Sequence, residues 1–256
     1  MQDTCRNSQP SCASQSVDSA DRRHGNHEGF CDRASVWVVV PAYNEATSIG
    51  GVVKLLRLEG YKVVVVDDGS EDATGEIGRS AGAIVLQHCQ NLGQGGALQT
   101  GIAFCLRYGA QFICTFDADG QHRVEDIQRM WNCLIDQRLD VVLGSRFLGN
   151  SPGMPASRRL LLKMAVLFTR FHSGFRLTDA HNGLRLMRAE AASKLALSQL
   201  GMAHASEIIK EIARQKLAYS EIPVTILYTE YSKAKGQSGL NSIRIIMELI
   251  MGRMMR

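Results

Sequence analysis

The sequence predicts an α/β fold in which helices cover both faces of a mostly parallel sheet. Short apolar runs rich in β-branched residues alternate five times with helical patterns, which is typical of such sheets. Polar residues gather directly after these runs, where the carboxyl ends of parallel strands form one edge of the sheet. The length of 256 residues and the apolar content of 45% allow a substantial hydrophobic core. We therefore expect a globular protein whose ligand site lies at that edge.

The elements follow one another in a regular order up to about residue 150. Strands are expected at 36–40, 63–66, 83–86, 112–116 and 140–143. Helices between them are expected at 45–59, 73–81, 95–108 and 124–137. The later part is less regular, with helices expected at 156–171, 189–197 and 203–216 and strands at 183–187 and 218–227.

Both ends of the chain differ from this pattern. Residues 1–33 are polar, show no apolar period and contain no signal-peptide core, so we expect a disordered leader outside the fold. Residues 236–256 are predicted to form a C-terminal amphipathic helix, which either packs on the domain or lies at a membrane interface. The longest apolar segment, 160–168, contains Lys163, and no membrane span is expected. The seven cysteines show no paired spacing, which favours free thiols in a reducing compartment.

Positive charge is concentrated late in the chain. The net charge is +4, yet residues 154–188 alone hold seven lysines and arginines against one acidic residue. Such a segment predicts an anionic partner: a phosphorylated acceptor, a nucleoside diphosphate or an anionic membrane face. Nucleic acid is not expected, because no recognition motif accompanies the charge. The helix at 156–171 places its cations on one stripe, and this pattern suits a membrane-surface helix or a core helix with a solvated stripe.

The acidic motif Asp117-Ala118-Asp119 ends the fourth predicted strand. Its two carboxylates would emerge at the carboxyl edge of the sheet, where α/β folds bind ligands. Oxygen ligands with room left for water suit Mg²⁺ or Mn²⁺. Taken alone, the motif also fits a solvated turn.

Two further loop motifs are suited to a nucleotide. Asp67 and Asp68 follow the second strand, and a carboxylate at this position can bond a ribose hydroxyl or a base edge. The turn at 91–97, which includes Gly93, begins a helix and allows close backbone approach by a nucleotide. It is neither a Walker loop nor a dinucleotide fingerprint.

In combination these motifs resemble the family 2 glycosyltransferases, which have the GT-A nucleotide-sugar-binding fold. Further motifs resemble the dolichyl-phosphate mannose synthase branch. The matching segments are Val38-Val39-Val40-Pro41-Ala42-Tyr43-Asn44-Glu45, Asp67-Asp68-Gly69-Ser70, the glycine turn, Asp117-Ala118-Asp119-Gly120-Gln121-His122, Gly144-Ser145-Arg146-Phe147, Thr178-Asp179-Ala180-His181-Asn182-Gly183-Leu184-Arg185-Leu186 and Gly236-Gln237-Ser238. The resemblance covers about residues 35–250 and implies a single GT-A catalytic domain over 34–235.

The resemblance also implies roles for individual residues. Those implied for the nucleotide base and ribose are Pro41, Tyr43, Glu45 and Asp68. Those implied for a metal that bridges the donor diphosphate are Asp117, Asp119 and Gln121. Those implied to face phosphate groups are Arg146, Arg185, Arg158, Arg159, Lys163 and, from the last motif, Ser238. Asp179 is implied near the mouth of the site, and anchoring Arg185 or a loop is its alternative role.

Two motifs depart from the synthase pattern. Ser238 is followed by Gly239, where the synthases usually have lysine, and Asn182-Gly183-Leu184-Arg185 stands where they tend to have Gly-Ser-Phe-Arg. The motifs therefore do not decide which residue contacts this phosphate or which acceptor the protein uses.

The leading hypothesis is an inverting transfer of a hexose from a GDP- or UDP-sugar to a polyprenyl or dolichyl phosphate at the cytoplasmic membrane face. An anionic phosphate needs little help from a general base. The alternative acceptor is a hydroxyl of a cell-surface polysaccharide or glycolipid, which needs a base: Asp179, His181, His204 or Glu207. A hypothesis of another class is a catalytically silent nucleotide-sugar-binding subunit. Peripheral membrane association is expected, directly or through a small membrane-protein partner.

Overall fold

The computed structural model describes residues 33–150, 152, 154, 159–160, 162–164, 166, 177–179, 181–201 and 203–227. The strands in this part are β1 (Val36–Ala42), β2 (Lys62–Asp67), β3 (Ile84–Gln87), β4 (Phe112–Thr115), β5 (Val141–Asn150), β6 (Arg185–Arg188) and β7 (Tyr219–Thr225). The helices are α1 (Ile49–Leu58), α2 (Thr74–Ser80), α3 (Gln94–Arg107), α4 (Glu125–Asp136), α5 (Ala189–Ser193) and α6 (His204–Arg214). The described residues from 159 to 166 are also helical.

One sheet of seven strands organises the described residues, in the order β3-β2-β1-β4-β6-β5-β7. Four neighbouring pairs are parallel, and β6 runs antiparallel to both of its neighbours. This arrangement confirms the predicted mostly parallel α/β sheet. Because β1 and β4 are adjacent and parallel, the motifs that follow them meet at one edge.

The sheet is buried on both faces, which explains the continuous apolar runs of its central strands. In β1, Val38 and Val40 pack into one apolar cluster, whereas Trp37 and Val39 pack into another. Successive side chains of a strand point to opposite faces, so a strand covered on both sides needs apolar residues at every position.

Two predicted boundaries differ in ways that affect the site. The first helix begins at Ile49 rather than at residue 45, because Asn44 has a φ of 53° and the Glu45 carbonyl accepts hydrogen bonds from the amides of Ser48 and Ile49. Glu45 therefore lies in a buried turn at the sheet edge. Strand β5 continues to Asn150 instead of ending at residue 143, since it pairs with β7 through an irregular register after Ser145.

Some predictions fall on residues that the structure does not describe. These are the leader up to residue 32, Arg158, the C-terminal helix at 236–256 and Ser238. Among the described helices, none has the length and apolar character needed to cross a membrane.

Candidate functional site

A cavity of about 560 Å³ opens at the carboxyl edge of the sheet. The predicted site residues that line it are Pro41, Tyr43, Glu45, Asp68, Gly93, Asp117, Asp119, Gln121, Arg146 and Arg185. Residues that line it without having been assigned a ligand role include His122, His181, Gly183 and His204. The cavity thus brings together side chains separated by more than 140 positions in the sequence.

Asp68 holds the loop that precedes α3. Its Oδ1 accepts a hydrogen bond from the Leu92 amide at 2.9 Å and lies 2.7 Å from His88 Nδ1. Its Oδ2 accepts a hydrogen bond from the Gly93 amide at 2.7 Å. His88 Nε2 lies 2.9 Å from Thr100 Oγ1, which ties this group to α3. Asp68 therefore shapes this part of the cavity through the backbone as well as lining it.

Asp67, which was predicted to contact a nucleotide, has a different position. It is buried, does not line the cavity, and accepts a hydrogen bond from the Ser70 amide at 3.0 Å. A Cβ atom at Gly75 would overlap the other carboxylate oxygen of Asp67. The Asp67 side chain is thus enclosed by the turn and the start of α2, away from the cavity.

The glycine turn packs against protein rather than leaving its amides free. The amides of Gly95 and Gly96 donate to the Leu200 carbonyl at 2.7 and 3.3 Å. A Cβ atom at Gly93 or Gly95 would overlap the backbone of Leu200 or Gln199. The glycines therefore admit a chain segment more than a hundred residues away, and two N-terminal amides of α3 are occupied by a carbonyl instead of a phosphate.

The acidic pair lies next to a histidine and a glutamine. Asp117 Oδ2 is 2.9 Å from His122 Nε2, and Asp117 Oδ1 accepts a hydrogen bond from Gln94 Nε2 at 3.2 Å. Asp119 Oδ1 accepts a hydrogen bond from the Gln121 amide at 3.1 Å. The position of His122 next to the acidic motif favours a structural role over a ligand role, and its contact with Asp117 is one that orients this carboxylate.

The environments of the two carboxylates differ. Burial and then the negative charge of Asp117 raise the pKa of Asp119 to about 6. Burial also acts to raise the pKa of Asp117, but the hydrogen bond and charge of His122, with Arg185 and Arg146, outweigh it and lower that pKa. The pair therefore concentrates negative charge that a cation would neutralise.

The donor set fits Mg²⁺ or Mn²⁺ held jointly by protein and ligand. Within the described part of the chain, no three histidine, cysteine, aspartate or glutamate side chains form a metal-binding group. Mg²⁺ commonly binds through one or two carboxylates, substrate phosphates and water rather than through an all-protein cage. Asp117 and Asp119 would supply the carboxylates, and Gln121 lines the same cavity.

Gly183 makes room for Asp117. A Cβ atom at this position would overlap both carboxylate oxygens of Asp117. Gly183→Ala is therefore expected to displace the carboxylate and to weaken Mn²⁺ binding by about tenfold or more, as happens when groups that orient metal ligands are lost. A Mn²⁺ titration followed by thermal shift, with a nucleoside diphosphate present, measures this loss.

Gly51 offers a matched control for that substitution. It lies in α1, and an added Cβ atom would meet no heavy atom within 4 Å. Gly51→Ala should leave the Mn²⁺ response unchanged and stabilise the helix slightly. Equal Mn²⁺ responses in the two variants would contradict the role assigned to Gly183.

Asp179 anchors Arg146. Its Oδ2 accepts hydrogen bonds from Arg146 Nε at 2.6 Å and from the Arg146 amide at 3.1 Å, while Arg146 Nη2 donates to the His181 carbonyl at 2.9 Å. Glu221 in turn accepts hydrogen bonds from the amides of Asp179 and Thr178. Asp179 does not line the cavity, so the anchoring role is the one that the geometry supports, with Arg146 rather than Arg185 as the partner.

Arg185 is a buried cation without a described hydrogen-bond partner. It is 2% exposed, lines the cavity, and its Nη1 atom is buried and unbonded within the described part of the chain. Burial lowers the pKa of Arg185 to about 10, although the charges of Asp117 and Asp179 oppose the shift. The guanidinium is still charged at neutral pH. A buried charge of this kind is costly unless a ligand neutralises it, which points to an anionic ligand.

Two histidines also line the cavity. Burial is the largest cause that lowers the pKa of both His181 and His204 to about 4, so both imidazoles are neutral at pH 7. Glu207, in contrast, does not line the cavity and accepts hydrogen bonds from the amides of Ser198 and Gln199. The sequence offered His204 only as a candidate base, and its position near Arg185 and Asp117 depends on contacts between distant segments.

Comparisons with known proteins agree with this geometry. A sequence model described as "Glycosyl transferase family 2" matches residues 37–196. An uncharacterised protein of Methanocaldococcus jannaschii is 38% identical over 225 residues, covering 86% of this chain and 93% of that protein. The UDP-N-acetylglucosamine–dolichyl-phosphate N-acetylglucosaminyltransferase of Methanococcus voltae is 31% identical over 242 residues, covering 86% and 96%.

A solved structure shows the same fold. Glucosyl-3-phosphoglycerate synthase of Mycobacterium tuberculosis, in complex with Mn²⁺, UDP-glucose and phosphoglyceric acid, matches with a TM-score of 0.62. The two sequences are 17% identical, and the match covers 84% of this chain and 78% of that one. Together with the family match over residues 37–196, this identifies the chain as a glycosyltransferase of family 2 with the GT-A fold.

Proposed function

We propose that this glycosyltransferase moves a hexose from a UDP- or GDP-sugar to a polyprenyl phosphate, with inversion at the anomeric carbon. The observation that carries the proposal is Arg185, a buried cation in the cavity that lacks a described anionic partner in bonding contact. The Methanococcus voltae relative is named for a dolichyl-phosphate acceptor, which supports the same class of acceptor.

The state of the four candidate bases also favours a phosphate acceptor. Asp179 is bonded to Arg146, and Glu207 is bonded to loop amides outside the cavity. His181 and His204 line the cavity, but burial lowers the pKa of each to about 4, which makes them weak bases at neutral pH. A hydroxyl acceptor needs a general base, and these four groups are poorly suited to that role, whereas a phosphate monoester is already anionic.

The proposed reaction follows from the order of groups along the sheet edge. An oxygen of the acceptor phosphate attacks the anomeric carbon from the side opposite the nucleotide, and the bond from that carbon to the diphosphate oxygen breaks. A divalent cation at Asp117 and Asp119 would neutralise the departing nucleoside diphosphate. Arg146 and Arg185 add positive charge near the same place, and Asp179 keeps Arg146 in position. Asp68 orients the loop at the nucleotide end.

The described helical residues from 159 to 166 favour a protein that acts at a membrane surface. Leu160 and Met164 lie one helical turn apart and are 65% and 57% exposed. Arg159 and Lys163 are exposed beside them. Apolar side chains next to cations suit the interface of an anionic membrane. We propose peripheral association with the cytoplasmic face, where a polyprenyl phosphate would present its head group.

Matched acceptors test the proposal. The enzyme is supplied with Mn²⁺ and with UDP-N-acetylglucosamine, UDP-glucose or GDP-mannose, and is offered a polyprenyl phosphate, the corresponding polyprenol or an oligosaccharide. We expect a glycolipid product only with the lipid phosphate. Product from the polyprenol or the oligosaccharide, with none from the lipid phosphate, would show that the acceptor is a hydroxyl. Nucleotide-sugar binding without transfer to any acceptor would point to a silent binding subunit.

A further inference from the structure

The two imidazole nitrogens of His204 differ in their hydrogen bonding. It is the first residue of α6, it is 3% exposed, and it lines the cavity. Its Nδ1 atom lies 2.9 Å from the Gly201 carbonyl oxygen. A carbonyl oxygen only accepts hydrogen bonds, so Nδ1 carries the proton, and in the neutral ring Nε2 then holds a free lone pair. Burial and the nearby charge of Arg185 lower the pKa of His204 and keep the ring neutral at pH 7.

The Nε2 atom is left for a ligand. No described residue forms a hydrogen bond with it. A phosphate oxygen would be repelled by the lone pair and would go to Arg185 instead. A metal held at Asp117 and Asp119 could use the same lone pair, but it would also support binding of sugar-free UDP or GDP, so the binding comparison below separates the two roles. The ligand group that fits is one that donates a hydrogen bond, an O–H or an N–H.

The position of His204 indicates which part of the ligand it would contact. Under the proposed function the nucleotide lies at Asp68, which follows β2, and the acidic pair follows β4. In the sheet, β2 and β6 lie on opposite sides of the β1–β4 pair. His204 is near Arg185 of β6 and near Asp117, whose charges both act on it. A donor molecule that extends from Asp68 past the acidic pair would therefore bring its sugar to His204.

We propose that His204 recognises the transferred sugar, with Nε2 accepting a hydrogen bond from a hydroxyl or amide N–H group of that sugar. The inference rests on the proposed function, because it assumes a nucleotide-sugar donor. It adds a contact that selects among sugars according to whether they present a donor group at this position. A buried acceptor left without its partner discriminates against sugars that lack the group.

Two substitutions separate this role from a structural one. In His204→Asn the amide nitrogen can keep the bond to Gly201 but nothing reaches the position of Nε2. In His204→Gln the amide oxygen can reach that position, while the bond to Gly201 is lost. Calorimetry with Mn²⁺ measures the affinity of each variant for UDP-N-acetylglucosamine, UDP-glucose and GDP-mannose, and for UDP and GDP as sugar-free references.

We expect His204→Asn to weaken binding of the nucleotide sugar about threefold to tenfold, as for one lost hydrogen bond, and to leave sugar-free nucleotide binding unchanged. His204→Gln should recover most of the loss. A deoxy-sugar analogue that lacks the contacted hydroxyl should bind the wild type more weakly by the same factor, with no further loss in His204→Asn.

Other outcomes overturn the inference. If His204→Asn binds the nucleotide sugars as the wild type does, or if it loses sugar-free nucleotide equally, His204 does not contact the sugar. If His204→Gln is the more impaired variant, the bond to Gly201 is what matters and the role is structural. A wild-type protein that binds none of the three nucleotide sugars would remove the proposed donor site itself, and that result is distinguishable from the first two.

Discussion

Arg185→Met is expected to stabilise the folded protein while it slows transfer. The guanidinium is buried and lacks a described hydrogen-bond partner, and the lowered pKa means that the folded state disfavours the charged form. At neutral pH the charge therefore costs stability, and an apolar side chain of similar length removes that cost. Replacing buried charges by apolar residues can add about 1 to 4 kcal/mol to the free energy of unfolding. Each kcal/mol corresponds to a rise of about 2 to 4 °C in the melting temperature for a domain of this size.

The same substitution should reduce the rate of transfer by about a hundredfold to a thousandfold. Arg185 is aimed into the cavity, where it would stabilise phosphate charge, and removing one such donor from an enclosed site typically has an effect of this size. Thermal unfolding and initial transfer rates measure the two effects on the same preparation. A higher melting temperature together with a lower transfer rate would show that Arg185 serves function and destabilises the fold.

Arg188→Met is the matched control. Arg188 lies three residues later on β6, donates from Nε to the Leu139 carbonyl at 2.8 Å, and places its guanidinium 5.7 Å from the centre of the Phe112 ring. Its loss should lower the melting temperature slightly and leave transfer unchanged. A fall in the melting temperature of Arg185→Met would refute the view that Arg185 is an unsatisfied charge.

Asp117→Asn is expected to remove the response to divalent metal and to slow transfer by about a hundredfold or more. The substitution keeps the size of the side chain and an oxygen that can accept from Gln94, but it removes the negative charge that would bind a cation. In the wild type, Mn²⁺ together with UDP or GDP should raise the melting temperature, because a ligand that binds only the folded state stabilises it. This rise should be absent in the variant.

Asp136→Asn provides the comparison for Asp117→Asn. Asp136 ends α4 and is exposed, and it does not line the cavity. Its variant should respond to Mn²⁺ and nucleotide as the wild type does. If Asp117→Asn also keeps the full metal response and rate, the acidic pair is not a metal site, and the proposed mechanism would need another way to neutralise the diphosphate.

Much of the cavity was predictable from the sequence because the strands that carry it are local and regular. Asp117 and Asp119 follow β4, and Tyr43 and Glu45 follow β1, and two adjacent parallel strands must end at the same edge. Arg185 was identified through the family motif and lines the cavity. For these residues, knowing which strand a motif follows was enough to place it.

The partners of these residues were not predictable, since they depend on contacts between distant segments. Asp179 was expected at the mouth of the site, yet it binds Arg146 from 33 positions away. The glycines at 93 and 95 were interpreted as a nucleotide turn, but the backbone of Leu200 and Gln199 occupies the space that they leave. A sequence motif indicates that a small or charged residue is required at a position. Which neighbouring residue imposes that requirement depends on how distant segments pack.

The sequence by itself determined the α/β class, the edge of the sheet that holds the site and the acidic pair that marks it. These follow from hydrophobic periodicity and from residue types in loops after strands, both of which act over a few residues. Only the tertiary structure decided that Asp179 anchors Arg146, that Arg185 lacks a described partner and that His204 turns one nitrogen to Gly201. Burial and hydrogen-bond geometry arise when distant segments meet, and those two quantities decide which charges and lone pairs are left for a ligand.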